Sequence, residues 1–157
     1  GYASVQAPGH PLVRYLAEEL AGQWPGLPVF AVNPLRKCPL AMGYATPHTL
    51  GPDRLAAAVG ARQRYPGQAL LVIDAGTAIT YDIVTADGRY MGGAIAPGLA
   101  LRYRALHAYT GRLPLLAAPS PEEMAPPALG QSTEASLRSG VQNGLLAELS
   151  GMAEALE

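Results

Sequence analysis

Residues 69–95, with the sequence ALLVIDAGTAITYDIVTADGRYMGGAI, contain the pattern that decides the fold. Residues 69–74 are almost continuously apolar and end in a carboxylate, which predicts a buried strand. Residues 78–85 alternate between apolar and polar side chains, which predicts a second strand. Asp87-Gly88 predicts a tight turn before a third strand over residues 89–95. The stretch is therefore predicted to form a three-stranded meander whose first turn is Ala-Gly-Thr.

Helical patterns lie on both sides of this meander. Apolar residues at helical spacing predict a helix over residues 11–21. Pro52 and Asp53, both favoured in a first helical turn, predict one over residues 52–64, and further helices are predicted over residues 99–109 and 131–149. Gly22 and Pro25 are predicted to stop the first helix, and Ser132 is the predicted N-cap of the last. Gly140 and Gly144 share one face of that last helix, which predicts close packing against another backbone.

The remaining segments complete an α/β pattern with a change of composition near residue 68. Residues 28–32 predict a short buried strand, and prolines predict loops over residues 33–50 and 114–127. We therefore expect two lobes, one formed by residues 1–68 and the other by residues 69–157.

Composition excludes several classes of protein. The chain has 157 residues, of which 49% are hydrophobic and 15% charged, with a formal net charge of -1. A nucleic-acid binder that depends on a basic stripe, or a disordered acidic tail, has a different balance of charges. Cys38 is the only cysteine, so an intrachain disulfide and a multi-cysteine zinc site are excluded. No apolar run approaches the roughly 18 to 20 residues that span a bilayer. The first residues predict no secretory signal, and we expect a cytoplasmic protein.

Asp74 and the turn that follows it are the first candidate site. A strand brings a carboxylate to a tight turn, and Gly76 lets the backbone approach a ligand closely. The amides of Gly76, Thr77 and Ala78 can point at one oxyanion, and the Thr77 hydroxyl can add a donor. Asp74 repels phosphate, but it can hold a cation or an ordered water beside it. The alternative is an ordinary turn with a structural aspartate.

The second candidate site is Tyr44-x-x-Pro-x-x-Leu-Gly51-Pro52-Asp53-Arg54 at a loop-to-helix junction. Asp53 can accept a proton from a hydroxyl nucleophile. The guanidinium of Arg54 suits a substrate that carries a carboxylate. The alternative is that Asp53 only interacts with the helix dipole while Arg54 is solvated.

Two glycine-containing segments are further candidates. Gly92-Gly93-x-x-x-Pro97-Gly98 joins a strand to a helix, and its glycines let a nucleotide base or a phosphate approach. A simple glycine-rich turn is the competing interpretation. Gly130-x-x-Thr133 precedes the last helix, where Thr133 is either a ligand contact or only a first-turn residue.

In this order and spacing, the motifs resemble the type III pantothenate kinases, also called the Bvg accessory factor family. The matching segments are, in order, YATPHTLGPDRLAAAVGA, LLVIDAGTAITYDIVTADGRYMGGAIAPG, ALHAYTGRLP and GQSTEASLRSGVQNG. The resemblance covers most of the chain, from about Tyr44 to about Gly144. We expect the chain to lack the family's first D-x-G-N-T/S hairpin and its C-terminal strand with a Gly-Gly turn.

The resemblance implies a fold and an activity. The fold is that of the acetate kinase, sugar kinase, Hsp70 and actin superfamily, an actin-like ATPase with two RNase H-like lobes. The activity is ATP-dependent phosphorylation of pantothenate to 4'-phosphopantothenate, the first step of coenzyme A biosynthesis. The implied cofactors are ATP, a potassium or ammonium ion, and a divalent cation that accompanies ATP. The implied assembly is a cytoplasmic homodimer with no nucleic-acid or membrane partner.

The resemblance also implies roles for individual residues. Asp53 matches the catalytic base. The implied substrate contacts are Tyr44, Gly51, Pro52, Asp53, Arg54 and Thr133, the last offered either within one subunit or across the dimer. Asp74 matches the position that helps hold the monovalent cation. The implied ATP contacts are Gly76, Thr77, Ala78, Gly92, Gly93, Pro97 and Gly98.

Two other functions remain open from the sequence. One is a non-catalytic or regulatory homologue that retains the fold, which the missing first hairpin favours. The other is a different kinase of the same superfamily that acts on a small hydroxylated substrate, which the text from Tyr44 to Arg54 disfavours.

Overall fold

The computed structural model describes residues 38–120 and 126–155, together with Tyr15, Glu18, Glu19, Gly22 and Gln23. Tyr15, Glu18 and Glu19 lie within the predicted first helix and are helical, as predicted, whereas Pro25 lies outside the described residues. Because Gly22 and Gln23 are still helical, the prediction that Gly22 ends this helix is wrong. A glycine inside a helix costs only about 1 kcal/mol relative to alanine, so it does not force an end. The predicted strand over residues 28–32 lies outside the described residues.

Four strands form one sheet in the order β1-β4-β3-β2. The predicted meander is confirmed, and its strands are β2 (Leu70–Ala75), β3 (Ala78–Val84) and β4 (Arg89–Pro97). β2 and β3 are joined by two residues and are therefore antiparallel, since a parallel pair needs a long crossover. Gly88, with φ +86°, ends the turn between β3 and β4, as predicted.

The fourth strand was not predicted. β1 (Ala41–Met42) pairs in parallel with β4, with Ala41 opposite Arg89 and Met42 opposite Tyr90. A 3-10 turn follows over Pro47–Thr49. The prediction that residues 33–50 contain only loop is therefore wrong within the described residues from 38 onward. Local sequence does not reveal β1 because its hydrogen-bond partners lie on a distant part of the chain.

β2 differs from its prediction in burial. The strand lies at one end of the strand order, its first three residues are half-buried, and its last three are exposed. Ile73 is 42% exposed. The expectation of a buried strand is therefore wrong for this chain. Continuous apolar runs are typical of strands whose two faces are both covered, whereas the last three residues of β2 are exposed in the described part of the chain.

The helices agree with the sequence patterns, with one irregularity. Helices α1 (Pro52–Arg64) and α2 (Leu99–Tyr109) have the predicted bounds. The last predicted helix is observed as α3 (Thr133–Arg138), a π turn over Ser139–Asn143, and α4 (Gly144–Ala155). It therefore begins two residues later and continues six residues further than residues 131–149. Ser132 is confirmed as its cap, because its side-chain oxygen accepts a hydrogen bond from the Ala135 amide at 3.1 Å.

Two local features modify the last helix. Asn143 donates its side-chain amide to the Pro126 carbonyl at 3.2 Å and to Ser139 Oγ at 3.2 Å, so it ties the π turn to the preceding segment. A Cβ atom added at Gly140 or Gly144 meets no described atom within 4 Å. The expected close packing against another backbone is therefore absent among the described residues.

The chain divides into two compact units, each formed from two segments. Unit 1 comprises Gly1–Val72 and Asp82–Gly92, and unit 2 comprises Ile73–Tyr81 and Gly93–Glu157. The buried core of unit 1 is Leu40, Leu50, Leu55, Ala58, Val84 and Tyr90. The buried apolar residues of unit 2 are Ile79, Tyr81, Tyr103, Leu137 and Val141. The lobe boundary near residue 68 stays a prediction.

A hydrogen-bonded carboxylate connects three elements of unit 2. Glu148 on α4 accepts a hydrogen bond from the Tyr81 hydroxyl on β3 at 2.8 Å. Its other oxygen accepts one from Arg102 Nη2 on α2 at 2.6 Å. The bond from Arg102 lowers the pKa of Glu148 against the opposing effect of burial, and the bond from Tyr81 acts in the same direction.

This lowered pKa predicts a loss of stability in acid. A carboxylate whose pKa is lower in the folded state stabilises the fold above its unfolded pKa, near 4.3 for glutamate. That contribution disappears as the pH falls through the lower folded pKa. We expect Glu148→Gln to be less stable than the parent at pH 7 and to lose less stability between pH 5 and pH 3. Urea denaturation at several pH values measures this. Parallel stability curves for parent and variant would contradict the linkage.

Candidate active site

Asp53 is an exposed carboxylate at the start of α1. The helix begins at Pro52, whose fixed φ suits a first helical position, and Gly51 precedes it. A Cβ atom at Gly51 would lie 2.4 Å from Asp53 Oδ1, so the glycine leaves room for this carboxylate. Asp53 is exposed, and no described side chain bonds to it. Such a carboxylate is available to accept a proton from a bound hydroxyl.

Arg54, the next residue, is in the opposite situation. It is 7% exposed and forms a buried ion pair with Asp82 of β3. Arg54 Nε donates to Asp82 Oδ1 at 3.1 Å and to Oδ2 at 3.2 Å, and Nη2 donates to Oδ1 at 2.6 Å. Burial opposes the charge of Arg54, but the hydrogen bond and charge of Asp82 outweigh it and raise the pKa of Arg54. The alternative of a solvated Arg54 is therefore wrong.

The ion pair also restricts what Arg54 can do. Asp82 occupies one edge of the planar guanidinium, so only part of this group is free to bind a ligand. The sequence suggested that the whole group is free. The Nη1 group has no bonding partner among the described residues and remains for a ligand. Breaking a buried pair by removing one partner typically costs roughly 3–5 kcal/mol, so this arrangement is held firmly.

Tyr90 completes this buried group. It is 0% exposed, and its hydroxyl donates to Asp82 Oδ1 at 2.5 Å. Burial, then the hydrogen bond to Asp82, raises the pKa of Tyr90 well above its ordinary value, so the hydroxyl keeps its proton. The sequence indicated Asp82 only as one polar position in the alternating pattern of residues 78–85. It contained no signal for Tyr90, because the pairing depends on strand register.

Tyr44 packs on the same group. Its ring lies edge-to-face with that of Tyr90, with centroids 6.0 Å apart and an interplanar angle of 67°. Gly92 has φ +100°, and a Cβ atom there would lie 2.9 Å from Tyr44 Cδ2. Gly92 is therefore required for its backbone conformation and for the Tyr44 ring. Its expected contact with ATP stays a prediction.

In unit 2, the Gly76-Thr77 turn contacts Gly98. The Gly98 amide donates to the Thr77 carbonyl at 2.9 Å. A Cβ atom at Gly98 would lie 2.0 Å from the Gly76 carbonyl oxygen and 2.7 Å from that of Thr77. Two of the segments expected to bind ATP are therefore brought together. The Gly76 amide donates to the Ala78 carbonyl at 2.9 Å, so it is not the free anion donor that the sequence suggested.

A cavity of about 860 Å³ in unit 2 is lined in part by Pro97, an expected ATP contact that directly precedes Gly98. Thr133, the expected substrate contact at the start of α3, lines it together with Gln131 and Ser132. Its walls also include Leu106, Leu113, Leu137, Val141 and Arg102, whose Nε donates to the Pro97 carbonyl at 2.8 Å. The sequence indicated Thr133 but not the residues of α2 that face it.

The described residues contain no group of three or more His, Cys, Asp or Glu side chains placed to hold a metal ion. Within the same part of the chain, no helix combines the length and apolar character needed to cross a membrane. Asp74 lies exposed near the end of β2, and its carboxylate bonds to no described side chain.

Residues 3–155 match the family model described as type III pantothenate kinase. The chain belongs to the type III pantothenate kinase family. A type III pantothenate kinase of Christiangramia forsetii is 52% identical over 113 residues, 72% of this chain and 45% of that relative. One of Bacteroides fragilis is 45% identical over 131 residues, 83% of this chain and 52% of that relative. The chain spans about half the length of the curated relatives it matches.

A solved structure is also similar. It is a crystal structure of a conserved Campylobacter jejuni protein assigned to the Baf family of transcriptional activators. It is 25% identical, with a TM-score of 0.54, over 88% of this chain and 59% of that protein. Type III pantothenate kinases have the RNase H-like fold of the actin-like ATPases, so the expected fold class is confirmed. The matched region contains every candidate site residue named above.

Proposed function

We propose that this protein transfers the γ-phosphoryl group of ATP to the primary hydroxyl of pantothenate, the first step of coenzyme A biosynthesis. The observation that carries the proposal is the exposed carboxylate of Asp53, which has no partner among the described side chains and lies within the region that matches the kinase family. Phosphoryl transfer depends mainly on positioning and on charge stabilisation, and a free carboxylate beside the nucleophile supplies the first of these.

Unit 1 supplies the base and the substrate contacts. Asp53 orients the hydroxyl of pantothenate and accepts its proton as the oxygen attacks phosphorus. Arg54 donates from Nη1 to a polar end of pantothenate, while Tyr44, Gly51 and Pro52 line the same site. These roles are supported by the exposure of Asp53 and by the unbonded Nη1 group.

The Gly76-Thr77 turn and the segment that ends at Gly98 are proposed to contact ATP, and Thr133 is proposed to contact the substrate. The Thr77 hydroxyl and the Ala78 amide donate to phosphate oxygens, and Gly93, Pro97 and Gly98 lie along the nucleotide. Thr133 donates to pantothenate from the rim of its cavity, whose size and mixed lining suit a small polar molecule. We further propose that the protein works as a cytoplasmic homodimer, with a divalent cation bound to the phosphates of ATP.

A monovalent cation fits the ligands available at Asp74. Its exposed carboxylate is a hard oxygen ligand with one negative charge, and it bonds to no described side chain. When bound, potassium or ammonium offsets negative charge beside the phosphates. We expect sodium in place of potassium, at equal ionic strength, to lower the rate. Asp74→Asn should raise the half-saturating potassium concentration by at least about tenfold. Equal rates in sodium and potassium would contradict this assignment.

The activity is tested by incubating the intact protein with ATP and a panel of small hydroxylated acids, alcohols and sugars. We expect phosphate to be transferred to pantothenate in preference to the other acceptors. Preference for another acceptor would favour a different kinase of the superfamily. The sequence from Tyr44 to Arg54 and the family match both disfavour that outcome.

A regulatory homologue is the second candidate. The similar Campylobacter jejuni structure is assigned to a family of transcriptional activators, which favours it. A protein of this kind binds neither ATP nor pantothenate productively. Absence of phosphate transfer to any acceptor, with the protein folded, would therefore support this candidate over the kinase.

A further inference from the structure

A buried carboxylate joins two of the proposed substrate contacts without being a contact itself. Asp82 is 1% exposed and lies on β3 of unit 1. Its carboxylate accepts hydrogen bonds from Arg54 and from the Tyr90 hydroxyl. Tyr90 in turn packs edge-to-face against Tyr44. Arg54 and Tyr44 are therefore linked through two residues that have no part in the proposed reaction.

The geometry of the ion pair determines the direction of the free part of Arg54. A guanidinium is planar and rigid, with one N–H on Nε and two on each terminal nitrogen. Asp82 engages the edge formed by Nε and Nη2. Because the group is rigid, fixing that edge also fixes Nη1. A ligand then meets a preorganised donor instead of a flexible side chain.

Tyr90 supports both ends of this arrangement. Its hydroxyl holds Asp82 on one side, and its ring limits the position of Tyr44 on the other. The Tyr44 ring also lies over Gly92, in space that a side chain at position 92 would occupy. A group that only stabilised the core would not require contacts to two candidate ligand-binding side chains.

We propose that Asp82 and Tyr90 are positioning residues for pantothenate, Asp82 acting through Arg54 and Tyr90 acting through Asp82 and Tyr44. The inference rests on the proposed function. Neither residue touches the substrate, so their loss weakens binding without removing a reacting group. KM for pantothenate is therefore the kinetic parameter that responds, and kcat changes less.

The experiment is a mutant cycle in the intact protein. We expect Asp82→Asn to raise KM for pantothenate by about tenfold and to leave kcat within about threefold, the scale of a lost hydrogen bond to a charged group. Tyr90→Phe, which keeps the ring against Tyr44, should raise KM by about threefold. In an Arg54→Ala background, Asp82→Asn should change KM by less than about twofold, because the residue through which it acts is gone.

Tyr103→Phe is the matched control. Tyr103 is buried in unit 2, and its hydroxyl accepts a hydrogen bond from Gln142 at 3.0 Å. We expect it to lower the melting temperature without changing KM. If Asp82 and Tyr90 had only a structural role, Asp82→Asn and Tyr90→Phe would also lower the melting temperature without changing KM. That result would overturn the inference. An equal effect of Asp82→Asn with and without Arg54 would also overturn it.

Three further outcomes are decisive. If Asp82→Asn does not fold, Tyr90→Phe tests the inference alone. The inference then requires that Tyr90→Phe raises KM for pantothenate in the otherwise unchanged protein and does not raise it in the Arg54→Ala background. A parent protein that does not phosphorylate pantothenate contradicts the proposed function and the inference together. An active parent with unchanged KM in Asp82→Asn or Tyr90→Phe contradicts the inference alone, so the two failures are distinguishable.

Discussion

Asp53→Asn should lower kcat for pantothenate phosphorylation by at least about a hundredfold, with a smaller effect on KM. A general base contributes typically about 10²- to 10⁴-fold, and a hundredfold corresponds to about 2.7 kcal/mol of activation free energy. The amide has nearly the same shape as the carboxylate and still fits over Gly51. It has no basic oxygen, so the attacking hydroxyl keeps its proton. Steady-state kinetics with both substrates varied measure the change.

Asp87→Asn is the matched control for this variant. Asp87 is also an exposed aspartate, but it lies in the turn after β3, where its carboxylate accepts a hydrogen bond from the Thr85 hydroxyl. An Asn-Gly pair suits such a turn, so the fold is kept. Turnover should match that of the parent. Near-normal turnover in Asp53→Asn would remove Asp53 from the catalytic role.

Gly98→Ala should lower stability and weaken ATP binding together. The backbone at Gly98 has φ -70°, so alanine is not strained by its own conformation. The cost comes from the carbonyl oxygens of Gly76 and Thr77, at 2.0 Å and 2.7 Å from the new Cβ atom. Backbone atoms cannot rotate away as a side chain does, so the turn or the start of α2 must move.

The expected sizes follow from this crowding. Overpacking typically costs about 1–3 kcal/mol of unfolding free energy, and contact with backbone places this variant at the upper end. KM for ATP should rise at least about tenfold, since a 1 Å displacement of positioning groups can cost about a hundredfold. Urea denaturation and kinetics with varied ATP measure the two effects.

Gly111→Ala is the control, because a Cβ atom at Gly111 meets no described atom within 4 Å. It should leave both the unfolding free energy and KM for ATP close to the parent values. A loss of stability in Gly98→Ala without a change in KM for ATP would give Gly98 a structural role only. It would also count against nucleotide binding by the Gly76-Thr77 turn.

Short-range patterns were sufficient for most of the fold. The alternation along residues 78–85 predicted β3, and the proline and aspartate at the start of residues 52–64 predicted α1. These signals are local, because strand and helix periodicities repeat within a few residues. β1 is the counterexample, since two residues carry no periodicity and acquire their structure from pairing with β4.

The candidate site was predicted in part. Asp53 is exposed at a helix start, as a proton acceptor requires, and Gly98 meets the Gly76-Thr77 turn. The Gly76 amide is used within its own turn, which the order of residues could not reveal. Whether an amide is free depends on the hydrogen bonds that the folded turn makes.

The amino-acid sequence by itself determined the strands and helices that carry the motifs, the family of the chain, and the residue types available for chemistry. Tertiary structure alone decided that Arg54 is buried on Asp82 while its neighbour Asp53 faces solvent. The physical reason is distance along the chain. The partner of Arg54 is 28 residues away, so their charges meet only when β3 packs beside α1.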